Sequence, residues 1–220
     1  MDRRRFLRLT AAGATTPLWG PLTPGRGDAV ALRDVHFRAV RHGAAIGAHR
    51  ITFRTDGRRL TVETHVDIAV KILFLTVFRF KHDAEEIWDS GRLVSVTSTT
   101  DDDGTLLTVA GSAVADGFRI VGDAGPFLAS GSLLTSNTLW DRRILGEARL
   151  LDVQRGGEIG LVTAPLGDEQ IATPWGIVRA GRHRLITPHY AGSVSYDADG
   201  RWVKALLELR GESIEYVLAA

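Results

Sequence analysis

The sequence predicts an all-β chain, a long antiparallel meander curled into a half-barrel or open barrel with one short helix or ordered loop packed on it. Three observations lead there. From Leu60 to Phe80 the even positions read Leu60, Val62, Thr64, Val66, Ile68, Val70, Ile72, Phe74, Thr76, Phe78 and Phe80, while the odd ones begin Thr61, Glu63, His65 and Asp67. That period of two belongs to a sheet with one wet face. Turns built from acids followed by Gly recur along the chain, and such turns close hairpins. Only one later stretch, Asn137 to Leu151, has apolar residues near helical spacing.

The chain opens on a different kind of segment. Arg3-Arg4-Arg5-Phe6-Leu7-Arg8 has an Arg pair followed after one residue by Phe-Leu and a further base, the pattern of a twin-arginine export signal. A mildly apolar stretch from Leu9 to Leu22 follows, too short for the roughly 20 apolar residues that span a bilayer, so it reads as a leader and not an anchor. Ala29-Val30-Ala31 fits a small-residue cleavage site. Residues 1–31 are therefore expected to be a signal peptide, with Arg3, Arg4, Phe6 and Leu7 as its motif and the translocase as a transient partner. Residues 32–220 are expected to form a single β-rich domain in the periplasm, or outside the cell.

The elements then follow in order. At about 3.3 Å per residue the run from Leu60 to Phe80 would reach roughly 70 Å, far beyond common strands, so a bend or turn is expected near Asp67 to Lys71. From Leu73 to Val77 the odd positions also become apolar, which predicts cover on both faces there. Asp89-Ser90-Gly91, Asp101-Asp102-Asp103-Gly104, Arg155-Gly156-Gly157, Asp197-Ala198-Asp199-Gly200 and Arg210-Gly211 mark reversals. Val121 to Ser132, with Gly122, Gly125, Pro126 and Gly131, reads as a loop. Trp140, Ile144, Leu145 and Ala148 follow the polar Thr135 and Ser136 and carry the helix expectation, against which Gly146 stands.

Composition excludes several function classes. Removing residues 1–31 takes away five bases and two acids, leaving 22 bases against 24 acids, so the formal charge falls from +1 to −2. No basic stripe remains for a nucleic acid. With no cysteine the chain has no disulfide, thiolate metal site, iron–sulfur cluster or lipidated N-terminal Cys. No P-loop, dinucleotide fingerprint or Gly-x-Ser-x-Gly is present, and no cofactor is expected.

Two groups of residues remain as candidates. Lys81-His82-Asp83-Ala84-Glu85-Glu86-Ile87-Trp88 gathers ionisable groups beside an aromatic where the apolar strand ends at Phe80, the expected rim of a curled sheet. His183 and His189 stand near Trp175 and Trp202, and acid–base work there needs a carboxylate within hydrogen-bond reach. In the first reading Phe74, Phe78, Trp88, Trp140 and Trp202 line a cavity in the curved sheet for a lipid or other apolar molecule. The alternative is a hydrolase, isomerase or lyase that uses Glu86, His183 and His189 as acid–base groups or as His/carboxylate metal ligands.

The hairpins Glu86-Ile87-Trp88-Asp89-Ser90-Gly91-Arg92-Leu93, Thr100-Asp101-Asp102-Asp103-Gly104 and Tyr196-Asp197-Ala198-Asp199-Gly200-Arg201-Trp202-Val203, with the closing Ile214-Glu215-Tyr216-Val217-Leu218, resemble those of exported bacterial proteins classed as a domain of unknown function. The resemblance covers most of residues 32–220 and implies a fold, with no catalytic residues to carry over. More distantly the layout is similar to the half-barrel class that includes lipoprotein carriers of the Lol type. That likeness implies a curved sheet, closed by short helices, that holds acyl chains.

Overall fold

The long alternating run folds back on itself as two paired strands, and the rest of the meander follows from that. The structure is a computed structural model that describes residues 32–72, 75–131 and 133–219. Arg3, Arg4, Phe6, Leu7 and Phe74 lie outside the described residues. Strands β1 (Val35–Arg41), β2 (Ala44–Asp56), β3 (Arg59–Ile72) and β4 (Leu75–Asp89) come first. β3 and β4 pair antiparallel from Arg59↔Asp89 to Ile72↔Leu75. The change of direction therefore falls beyond Ile72, and only a register shift between Val70 and Lys71 marks the expected site. Both arms keep one apolar face, so pairing with each other satisfies the pattern without a bend. Cover on both faces fails at Val77, which is 49% exposed.

β5 (Arg92–Asp102), β6 (Thr105–Val114), β7 (Gly117–Gly122) and β8 (Gly125–Ala129) continue the meander. Ser90-Gly91 and Asp103-Gly104 turn with positive φ at both residues (51° and 78°, 54° and 90°), the tight hairpin geometry that suits sheet twist. The stretch read as a loop, Val121 to Ser132, instead contains most of the β7–β8 hairpin, paired from Phe118↔Ala129 to Gly122↔Gly125. Of its glycines, Gly122 reports a close approach: a Cβ there would stand 2.4 Å from the Arg155 carbonyl oxygen.

The stretch expected to be one short helix or ordered loop is ordered and short, without an α-helix among its described residues. Thr138–Trp140 and Arg142–Gly146 are two 3₁₀ turns, the second capped by Asp141, whose carboxylate accepts from the Arg143 N–H at 2.9 Å. The chain then leaves helical geometry for β9 (Arg149–Leu151), which pairs with β10 (Glu158–Gly160). Short 3₁₀ turns suit a segment whose side chains point inward on several sides, where a regular helix presents one stripe. β11 (Val162–Thr173), β12 (Gly176–Ile186), β13 (Ala191–Asp197), β14 (Trp202–Leu209) and β15 (Glu212–Leu218) complete the chain.

Thirteen strands form one antiparallel sheet in the order β11-β12-β13-β14-β15-β1-β2-β3-β4-β5-β6-β7-β8. β1 lies beside β15, so the sheet is continuous through the middle and its free edges are β8 and β11. It curls into an open half-barrel, and residues 133–161 cross its hollow as a plug. Ten buried apolar side chains of that plug, Leu133, Leu134, Leu139, Trp140, Ile144, Leu150, Leu151, Val153, Ile159 and Leu161, join the inward faces of the strands in one core. Among the described residues no helix is long and apolar enough to cross a membrane.

Candidate functional site

Polar side chains of β4 and β5 reach into this apolar interior and hold the plug. Along β4 the inward positions are His82, Ala84, Glu86 and Trp88, all buried, while Asp83 and Glu85 point outward. The run Lys81 to Trp88 is thus part of β4, which continues past Phe80 to the turn after Asp89, because the period of two seen from Leu60 continues to Trp88. Glu86 is fully buried. Thr135 Oγ1 donates to its Oε1 at 2.6 Å and Trp88 Nε1 to its Oε2 at 3.1 Å. Burial pushes its carboxyl up to about 7, against the pull of those two hydrogen bonds.

His82 sits one alternation away. Asn137 Nδ2 lies 2.9 Å from its Nε2, and Thr100 Oγ1 lies 2.8 Å from its Nδ1. Burial holds the imidazole down at about 4, with Asp83, Asp152 and Asn137 opposing, so it is neutral near pH 7. A neutral ring that accepts from Asn137 carries its proton on Nδ1 and donates to Thr100. His49 on β2, edge-on to Trp202 and Tyr216, is lowered by burial to about 3. Further bonds that join plug to wall include Ser98 Oγ to the Val153 carbonyl, Tyr196 Oη to the Leu139 carbonyl at 2.8 Å, and His189 Nε2 to Asp152 Oδ2 at 2.9 Å.

At the end of the barrel bearing the β4–β5 turn, the sheet itself parts. The β5–β6 ladder runs from Asp102↔Thr105 to Ser95↔Ser112 and stops. Yet β4–β5 continues to Asp89↔Arg92 and β6–β7 to Val114↔Gly117. Val94 stands unpaired at a register shift between Ile87↔Ser95 and Trp88↔Leu93, a bulge that turns the tip of β5 aside. The two hairpin tips leave a slot of about 600 Å³. Leu93, Val94, Val114, Phe118, Leu133 and Leu151 give it an apolar lining, and Asp89, Ser90, Arg92 and Asp116 stand at its mouth.

The residues singled out from the sequence are dispersed. Trp88, Trp140 and Trp202 are all buried at 8% exposure or less and pack as core: Trp88 and Trp140 meet edge-on at 6.0 Å, and Trp202 tilts against Phe37 at 4.3 Å. Phe78 is half-buried on β4 under the Arg210 guanidinium, 5.0 Å away. Glu86, His183 and His189 share no hydrogen bond. His183 lies on β12 with its ring 6.4 Å from Tyr196, lowered by burial and by Arg142.

His189 does find a carboxylate, Asp152, which is 2% exposed and also accepts from the Gln154 N–H. A buried Asp that orients a part-exposed imidazole is an arrangement suited to a general base. The other hydrogen bond of His189 among the described residues is its own N–H to Thr187 Oγ1, which supplies no activated nucleophile. Asp152, Thr135, Asn137 and the slot carried no readable signal, since each acts through partners 37 to 55 positions away; for Glu86–Thr135 the separation is 49. His82 and Glu86 were readable as inward residues from the unbroken alternation. No group of three or more His, Asp or Glu among the described residues stands close enough to hold a metal ion.

A curled, open antiparallel sheet with its hollow occupied defines a barrel-like all-β domain. The chain belongs to the DUF6134 family, a domain of unknown function, whose model matches residues 37–219. In fold it is similar to the β-barrel-like protein of the domain-of-unknown-function family DUF1849 from Brucella abortus. That likeness has a TM-score of 0.62 at 6% identity, over 84% of this chain and 94% of that one. No curated protein matches the sequence.

Proposed function

We propose that this is an exported binding protein whose ligand, elongated and apolar along its body, lies in the slot between the tips of β5 and β6. The observation that carries the reading is the slot. It is an opening of about 600 Å³ with an apolar lining and charged groups at its mouth, within the usual 300–1,000 Å³ of ligand sites. A lipid held in the hollow of the sheet, as in the Lol-type carriers, is a weaker reading. Ten buried plug side chains already fill that space, and at roughly 1.5–3 kcal/mol each their exposure exceeds the 5–15 kcal/mol that holds a typical domain together. The acid–base reading is weaker too, since Glu86 has no exposed surface and His183 and His189 work apart.

The test is binding of a fluorescent acyl-chain probe, together with native mass spectrometry of protein isolated from cells. The reading expects a co-purifying molecule or saturable probe binding that Ala113→Trp and Val114→Arg weaken at least tenfold. Ala113 is exposed and Val114 half-buried at the slot, so both variants should keep the parent melting temperature. Equal binding by parent and variants removes the slot from the reading.

A further inference from the structure

Resting on the binding reading above, we propose that the slot takes an extended peptide of three or four residues, added as a short strand between Arg92–Val94 and Ala113–Val114. Beyond Ser95↔Ser112 each lip of the slot is a strand paired on one side only: β5 with β4 as far as Arg92, and β6 with β7 as far as Val114. The backbone groups on the other side of each strand face the slot with no strand beside them. Backbone N–H and C=O groups are obligatory hydrogen-bonding groups, and two bare strand margins facing each other are a template for a third. An acyl chain has nothing to offer them.

The dimensions agree. One residue of an added strand occupies roughly 3.4 by 4.8 by 10 Å, or about 160 Å³. The slot of about 600 Å³ therefore holds between three and four residues, and each lip extends two or three residues past the last β5–β6 pair. A strand laid there alternates its side chains. One set meets Leu93, Phe118, Leu133 and Leu151, and the other faces outward, so the ligand has apolar residues at every second position. The far end is closed by the Ser95–Ser112 pair, whereas the mouth carries Arg92 and Asp116, neither in an ion pair among the described residues. A peptide terminus at the mouth thus finds an opposite charge whichever way the strand runs.

Calorimetric titration with a set of tetrapeptides X-Ser-X-Ser, in which X is Val, Leu or Phe, tests this beside their backbone N-methylated counterparts and decanoate. The proposal expects saturable binding by at least one peptide, at least tenfold weaker after N-methylation, with amide NMR shifts at Arg92–Val94 and Ala113–Val114. Equal binding by the N-methylated peptide overturns strand addition. Decanoate binding without peptide binding overturns the ligand class and leaves the slot as a site. If neither decanoate nor any peptide binds, both readings fall.

Discussion

Glu86 is a carboxyl that burial carries into the neutral pH range. Burial pushes its carboxyl from the ordinary 4.5 up to about 7, so the folded state holds the proton more tightly. The stability this contributes is complete below about pH 4.5 and is lost as the pH rises through about 7, some 3 kcal/mol in all. His82 and His49 act in the opposite sense. Their folded values of about 4 and about 3 lie below 6.5, so their contribution is present above about pH 6.5 and lost on acidification. Glu86→Gln isolates the first effect: its melting temperature should exceed the parent's at pH 8 and not at pH 5. A constant difference across that range would show that Glu86 is not held protonated.

The same residue shows what could be read beforehand. The alternation that begins at Leu60 runs unbroken through Phe80, His82, Ala84, Glu86 and Trp88, and this puts Glu86 inside the sheet without any structure. Its partner Thr135 lies 49 positions away, on a segment whose path is set by packing and not by local pattern.

At the scale of elements, the hairpins were legible because turn chemistry is local: Ser90-Gly91, Asp103-Gly104 and Arg210-Gly211 each supply two adjacent positive φ angles. The plug was not, because its apolar residues meet several walls at once and leave no single stripe for a helical period. Gly122 was misread for a related reason. Its lack of a side chain serves the Arg155 carbonyl across a gap of sequence, and the Ala124 N–H donates to that same oxygen at 3.3 Å. Gly122→Ala should cost about 1–3 kcal/mol through this clash, measured by urea denaturation, whereas the half-buried Gly125, with nothing near its position, lies clear of it. A Gly122→Ala protein as stable as the parent would mean that the plug turn yields freely.

For the whole molecule, the decisive contrast is between a plug and a lid. A lid opens far more often than the domain unfolds; a plug carrying ten buried apolar residues opens with it. Hydrogen exchange at Ile144, Leu150, Leu151 and Leu161 should therefore track global unfolding, and exchange faster by two orders of magnitude or more would restore the lid and with it the lipid-carrier reading. Export is tested at the same scale. Replacing Arg3 and Arg4 together by Lys should leave the protein inside the cell on fractionation, and unaltered export would exclude the twin-arginine route.

The pairing of β1 with β15 has a kinetic consequence. Phe37 aligns with Leu218 and Ala39 with Tyr216, so the centre of the sheet is assembled from segments at opposite ends of the described chain. The hairpins on either side need only near neighbours, but this seam must bring its two strands together across nearly all the described residues, at a loop-closure cost. High contact order of this kind slows folding toward the millisecond-to-second range, and the ribosome must have released β15 before the two halves can zip.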